Sequence, residues 1–219
     1  MHGVIATYLE RDSLDWTPRP ETLAWHLQSA GRADKASEYW LKACRSAVQR
    51  LAHREAIVFA QNGLKLMAGA DIDAAKRELS LQLYLASALG AINGYGADIV
   101  GEAYNKARDI NKTVANPRAN VRILVGLWIH AWVGGRLSQA LVYAQDLLDL
   151  AKDGPDPSIQ LQAHASMGQV LMHTGRLKEA IEHLYKGLDA IADNPPASPP
   201  AQIASVAVSY THLTLPTKA

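Results

Sequence analysis

With a single cysteine, Cys44, in 219 residues, the chain cannot form an internal disulfide, and a reducing compartment is the expectation. It has almost no excess of charge. The 22 basic and 21 acidic residues are interspersed to a formal +1, so no broad basic face is offered to a phosphate backbone, and nucleic acid is not expected as the main partner. It also lacks a long hydrophobic run. The most apolar stretch, ILVGLWIHAWVGG between Arg122 and Arg136, is broken by His130 and falls short of the ~20 residues that span a bilayer. No charged-then-apolar leader opens the chain at Met1. A buried helix, a cytoplasmic location and no membrane partner are therefore expected. Alternation of β-branched residues is nearly absent before residue 203. What the chain does have is abundant alanine, 48% hydrophobic residues and apolar spacing of three and four, enough for a sizeable core built from helices. The fold class expected is all-α.

The periodicity predicts helices over 2–10, 20–30, 34–51, 53–67, 72–92, 97–113, 117–133, 136–152, 157–174 and 176–193. Gly31, Gly135 and Gly175 each follow an apolar run and suit the left-handed residue that ends a helix. Asp156 before Pro157 reads as N-cap and first helical residue, and Pro20 before Glu21 suits a first turn. Short links between helices favour antiparallel neighbours.

An internal repeat underlies this pattern. GRADKA (31–36), GRLSQA (135–140) and GRLKEA (175–180) share Gly-Arg with an alanine five residues after the glycine. EAIVFAQNGL (55–64) and EAIEHLYKGL (179–188) share Glu-Ala-Ile and a later Gly-Leu at one offset. The alanines Ala56, Ala103, Ala140 and Ala180 recur at intervals of 47, 37 and 40, a period that fits one helical hairpin per repeat. Small residues have a physical role there, since helices about 8–10 Å apart need glycine or alanine where they cross. Trp40, Ala43, Cys44 and Ala47 would occupy first-helix positions, with Ala56, Ala60 and Gly63 on the second helix. In the last repeat Gly168, Gly175 and Ala180 would mark crossing, turn and second helix. This arrangement resembles tetratricopeptide repeats (TPR), which implies antiparallel hairpins stacked in a right-handed α-solenoid. His164 stands where a large residue is usual, and the period exceeds the roughly 34 residues of the standard repeat.

Three segments carry a narrower likeness: PETLAWHLQSAGRADKASEYWLKACRSAVQRLAHREAIVFAQNGLKLM, RELSLQLYLASALGAINGYGADIVGEAYNKARDI and the stretch from ILVGLWIHAWVGG to HLYKGL. They resemble the C-terminal repeat region of bacterial multidomain adenylate or guanylate cyclase-like proteins, in which a cyclase domain and a P-loop ATPase of the AAA/STAND kind precede a helical array. Related arrays follow the ATPase of large transcriptional regulators. Neither a G-x-x-x-x-G-K-[ST] loop nor paired aspartates in a strand context occur in this chain. The resemblance thus implies a fragment, or an internal start at Met1. Residues 1–30 would lead into the array and 31–193 would form the repeats. NPPASPP opens a Pro-rich linker over 194–207. VSYTHLTLPT resembles the translation of a transposon-end sequencing adapter, so 208–219 are expected to be an artefact, the alternative being a terminal strand.

Candidate chemistry is sparse. HASMG (164–168) resembles half of a nucleophile elbow but lies mid-helix, which leaves hydrolysis through Ser166 as a remote alternative. GAINGYG (90–96) follows a helix and has no lysine near it, so it reads as a turn between hairpins rather than a phosphate loop. His164, His173 and His183 are too far apart for the i, i+4 pairing of helical zinc motifs, and no metal or cofactor is expected. Cys44 reads as an inert packed thiol. Trp128 and Trp132 share a helical face and suit core packing, or else a peptide anchor. The repeat template places Arg122, Ile129 and Trp132 on a concave groove, with Gln162, Gln169 and Met172 from the next hairpin, a mixture suited to an extended or helical peptide. A non-catalytic scaffold is expected, one that contacts a protein or its parent's own ATPase. A passive spacer is the rival.

Overall fold

A computed structural model describes residues 1–9, 19–67, 71–152 and 156–192. The proposed linker (194–207) and adapter (208–219) segments lie outside these residues. The described residues form ten helices, in order: α1 (His2–Leu9), α2 (Pro20–Ser29), α3 (Ala33–Gln49), α4 (His53–Leu64), α5 (Ile72–Asn93), α6 (Asp98–Val114), α7 (Pro117–Val133), α8 (Leu137–Lys152), α9 (Pro157–His173) and α10 (Leu177–Ala192). No strand occurs among the described residues. The fold class is all-α. Every expected helix is present, with ends displaced by a few residues. The largest difference is at α4, which gives way at Leu64 because Leu66 and Met67 bond back three residues, to Gly63 and Leu64, in tighter turns. Asp156 does cap α9, its carboxylate accepting from the Ser158 amide at 2.9 Å, and Pro157 and Pro20 open their helices.

The recurring cassette has one local structure. Gly31, Gly135 and Gly175 adopt φ of 74°, 72° and 78°. In each case the next amide, that of Arg32, Arg136 or Arg176, reaches back five residues to Leu27, Ala131 or Leu171 at 3.0, 2.8 and 3.0 Å. The glycine amide itself bonds three residues back. This is the Schellman pattern, which satisfies carbonyls that a helix end leaves orphaned. The arginine carbonyl then receives the first bond of the next helix, from Ala36, Ala140 or Ala180. A fourth copy lacks the sequence signature. Between α3 and α4, Leu51 takes φ 58°, Ala52 donates to Ala47 at 2.9 Å, and Ala56 donates to Ala52 at 3.0 Å. Leucine therefore stands in the left-handed site that glycine fills elsewhere, five residues before the alanine.

The chain divides into two compact units, Met1–Ile123 and Leu124–Ala219. In the first, α1 packs on α2, α2 on α3, α3 on α4, α4 on α5 and α5 on α6. Its core joins Cys44, Ala47, Ala56, Ala60, Leu81 and Ala88, nearly all small, so backbones approach closely. Gly63 shows why no side chain fits there: a Cβ would lie 2.7 Å from Leu81 and 3.2 Å from the Trp40 Cβ. GAINGYG forms the turn that joins α5 to α6, with Gly94 at φ 84° and the Tyr95 ring lying against Gly90.

In the second unit α9 packs against both α8 and α10. All but one of Leu161–Leu171 are buried, His164 being the half-buried exception, as expected of a helix flanked on both sides. Leu161, Ala165 and Leu184 form its core with Leu188 and Ile191. A Cβ on Gly168 would lie 2.9 Å from Leu184 and 3.2 Å from the Ala180 carbonyl. Gly168 and Ala180 thus meet where α9 crosses α10.

Candidate functional site

Of the six residues proposed for a groove, Arg122 belongs to the first unit and the other five to the second. The Arg122 guanidinium lies over the Tyr84 ring, 5.5 Å from its centroid, which holds its planar head against an aromatic face. Trp132 is half-buried and stacks on the buried Trp128, with centroids 5.3 Å apart and planes 9° from parallel. Its other neighbour is the His173 ring, edge-on at 5.4 Å, and the His173 Nδ1 lies 2.8 Å from the Gln169 carbonyl. The C-terminal parts of α7 and α9 therefore share one aromatic corner. Ile129 and Met172 are half-buried. Gln162 and Gln169 are only 9% and 8% exposed. The Gln162 amide is used locally, donating to the Ser166 hydroxyl at 3.0 Å. Within the second unit, the groove set offers a partner mainly Trp132, Ile129 and Met172.

Ser166 is 1% exposed and sits in the middle of α9, so its hydroxyl faces packed side chains. Cys44 is wholly buried, its Sγ lies 3.4 Å from the Ala56 carbonyl, and burial pushes the thiol up to about 12. A thiol held in that state is a poor nucleophile.

A pair of histidines that spacing along one helix sets apart is brought together by the hairpin. His164 of α9 and His183 of α10 place their Nδ1 atoms 3.0 Å apart, nineteen residues distant in sequence. One ring must donate its Nδ1 proton while the other accepts. Both rings are half-buried. Burial first, then the neighbouring His183 and Lys186, lower His164 to about 4, while burial and Lys186 lower His183. Both are neutral imidazoles at neutral pH. They border a cavity of about 360 Å³ in the second unit, together with Gln145, Gln160 and Lys152, and with Leu148 and Ala151 as its apolar wall. The Lys152 ammonium is engaged by Asp149 at 2.6 Å. The signal for this pair was in the sequence, but only when positions are counted outward from the Gly175 turn instead of along a single helix.

Among the described residues no group of three or more His, Cys, Asp or Glu side chains is placed to hold a metal ion. No described helix is long and apolar enough to cross a membrane. Compared with known proteins, the chain matches no protein-family model and no curated protein.

Proposed function

We propose that this chain is a non-catalytic, TPR-like scaffold that mediates protein–protein or intramolecular regulatory contacts in a bacterial signalling protein, with its hairpins stacked as a right-handed α-solenoid. The observation that carries the reading is the repeated hairpin unit: one turn geometry built four times, each followed by a buried alanine of the next helix. A rigid surface made of such units suits partner capture, because little has to be ordered on binding. Trp132, stacked on Trp128 and half-open to solvent, is the anchor residue of this reading, with Ile129 and Met172 beside it. The partner is a protein or peptide. The parent's own ATPase is the favoured candidate, as in the cyclase-like proteins that the sequence resembles, and the repeat region of a transcriptional regulator is the alternative source. Ser166 plays no part in this reading, because its burial in α9 leaves a substrate no approach.

The test begins with the reading frame upstream of Met1, which should encode a P-loop ATPase; an unrelated domain there defeats the cyclase-like assignment. The purified ATPase domain is then titrated with this chain. Trp132→Ala and Met172→Ala should each weaken binding on the order of tenfold, the worth of one buried anchor, with helicity unchanged. Indifference to both substitutions favours a passive spacer.

A further inference from the structure

The His164–His183 pair has a geometry that hairpin packing alone does not require. The two Nδ1 atoms face each other at 3.0 Å, with ring centroids 5.2 Å apart and planes tilted by 44°. The helices carrying them are pinned on both sides. At Gly187 an added Cβ would lie 3.2 Å from the His164 Cβ, and Gly168 rests against Leu184. The rings are therefore held close by backbone approach and not by their own mutual attraction. One side of the pair borders the 360 Å³ cavity, so an ion bound there could keep further ligands.

We propose that His164 and His183 form a two-imidazole site for one divalent transition-metal ion, Cu²⁺ in preference to Ni²⁺ and Zn²⁺, with the remaining coordination positions open to the cavity. Imidazole nitrogens bind such ions at about 2.0–2.1 Å, so two nitrogens 3.0 Å apart subtend about 95° at the metal. That is the angle between neighbouring ligands in tetragonal Cu²⁺ or Ni²⁺ and is narrower than a tetrahedral Zn²⁺ angle. The general affinity order, Ni²⁺ below Cu²⁺ and Cu²⁺ above Zn²⁺, points the same way. Water and the side-chain oxygens of Gln145 or Gln160 are available for the other positions.

The proton balance closes. One ring gives up its Nδ1 proton and takes one at Nε2, so both Nδ1 lone pairs turn to the ion without net proton release. The charges facing the site are mixed. Lys186 and Arg176 oppose a cation, Glu179 and Glu182 favour it, and Lys152 is offset by Asp149.

A second close pair, His2 and His26 with Nδ1 atoms 3.0 Å apart, lies in the first unit, and His2 stands beside the amino terminus, itself a copper ligand, so the test is run on the full chain carrying His2→Ala. Cu²⁺ is titrated and followed by electron spin resonance with nitrogen modulation, and by copper broadening of the histidine ring protons in NMR. The expected result is one tightly bound ion with two equatorial imidazoles and with the signals of His164 and His183 broadened first. His164→Ala and His183→Ala should each lower affinity at least tenfold and leave a single imidazole, whereas His173→Ala should change nothing. Zn²⁺ should compete poorly. A one-imidazole spectrum in the His2→Ala protein, or broadening that begins at other histidines, overturns the proposal without recourse to any variant at the site. A two-imidazole spectrum that survives His183→Ala does so as well.

Discussion

Leu51 offers the sharpest test of how this chain builds its turns. Its φ of 58° places Cβ against the following carbonyl, a conformation that costs an L-residue about 1–2 kcal/mol and costs glycine nothing. The side chain gives little in return, being 74% exposed. Glycine would relieve the steric cost while adding roughly 0.5–1 kcal/mol of chain entropy to the unfolded state. Leu51→Gly should therefore stabilise the protein by about 0.5–1 kcal/mol, which raises Tm by about 1–4 °C for a chain of this size. Two controls separate backbone from side chain. Leu51→Ala keeps the Cβ and should gain nothing, and Gly175→Leu should lose about 0.5–1 kcal/mol, the same strain less the same entropy, on the matching turn, where φ is 78°. Thermal and urea denaturation at unchanged m-value would measure all three. If Leu51→Gly leaves Tm unchanged or lowers it, or if Leu51→Ala matches its gain, the equivalence of the four turns is wrong.

Ala180→Leu should destabilise by about 1–3 kcal/mol, since Ala180 is wholly buried and its carbonyl lies against Gly168; an unaltered melting curve would remove the close crossing. In metal-free protein, the unfolded chain binds more protons than the folded one between about pH 6.5 and about 4, because His164 and His183 are lowered on folding, so stability should fall as pH drops through that window. The His164 shift would be worth about 3 kcal/mol undiluted, and about 1–2 with the ring half-exposed, so His164→Gln should flatten the pH dependence of Tm relative to the parent; equal slopes would refute this. Cys44 should resist a disulfide exchange reagent in the folded state and react only as fast as the α3–α4 region opens; rapid labelling of folded protein would contradict its burial.

Helix positions were legible because their signals are local. Asp156-Pro157 writes a helix start, Gly31, Gly135 and Gly175 write stops, and the buried alanines at Ala56, Ala103, Ala140 and Ala180 write the crossings. Two features were hidden for different reasons. The Leu51 turn carries the same hydrogen bonds as its glycine counterparts, but a residue under strain leaves no compositional mark. Only its place five residues before Ala56 betrays it. The His164–His183 pair depends on two helices meeting in one register, which spacing within either helix does not report. Asn111 was opaque in another way. Its side-chain oxygen receives the Asn116 amide at 3.0 Å, the bond that a backbone carbonyl five residues back receives in the glycine turns, while Ala115 takes φ 52°. For the groove set, template mapping assigns a face but not its depth, and so Gln162 and Gln169 read like contact residues although α9 is flanked on both sides.

The self-contained turn also bears on how quickly this chain can find its structure. Each Schellman bond joins residues five apart, so a helix end and the start of its successor are fixed by a handful of neighbours before distant contacts exist. Closing so small a loop is a matter of tens of nanoseconds, and chains rich in such short-range contacts fold in microseconds to milliseconds. Helix pairs joined by these turns can form as separate nuclei. On this view the turn at Gly175 lets α9 and α10 meet before either depends on contacts far along the chain.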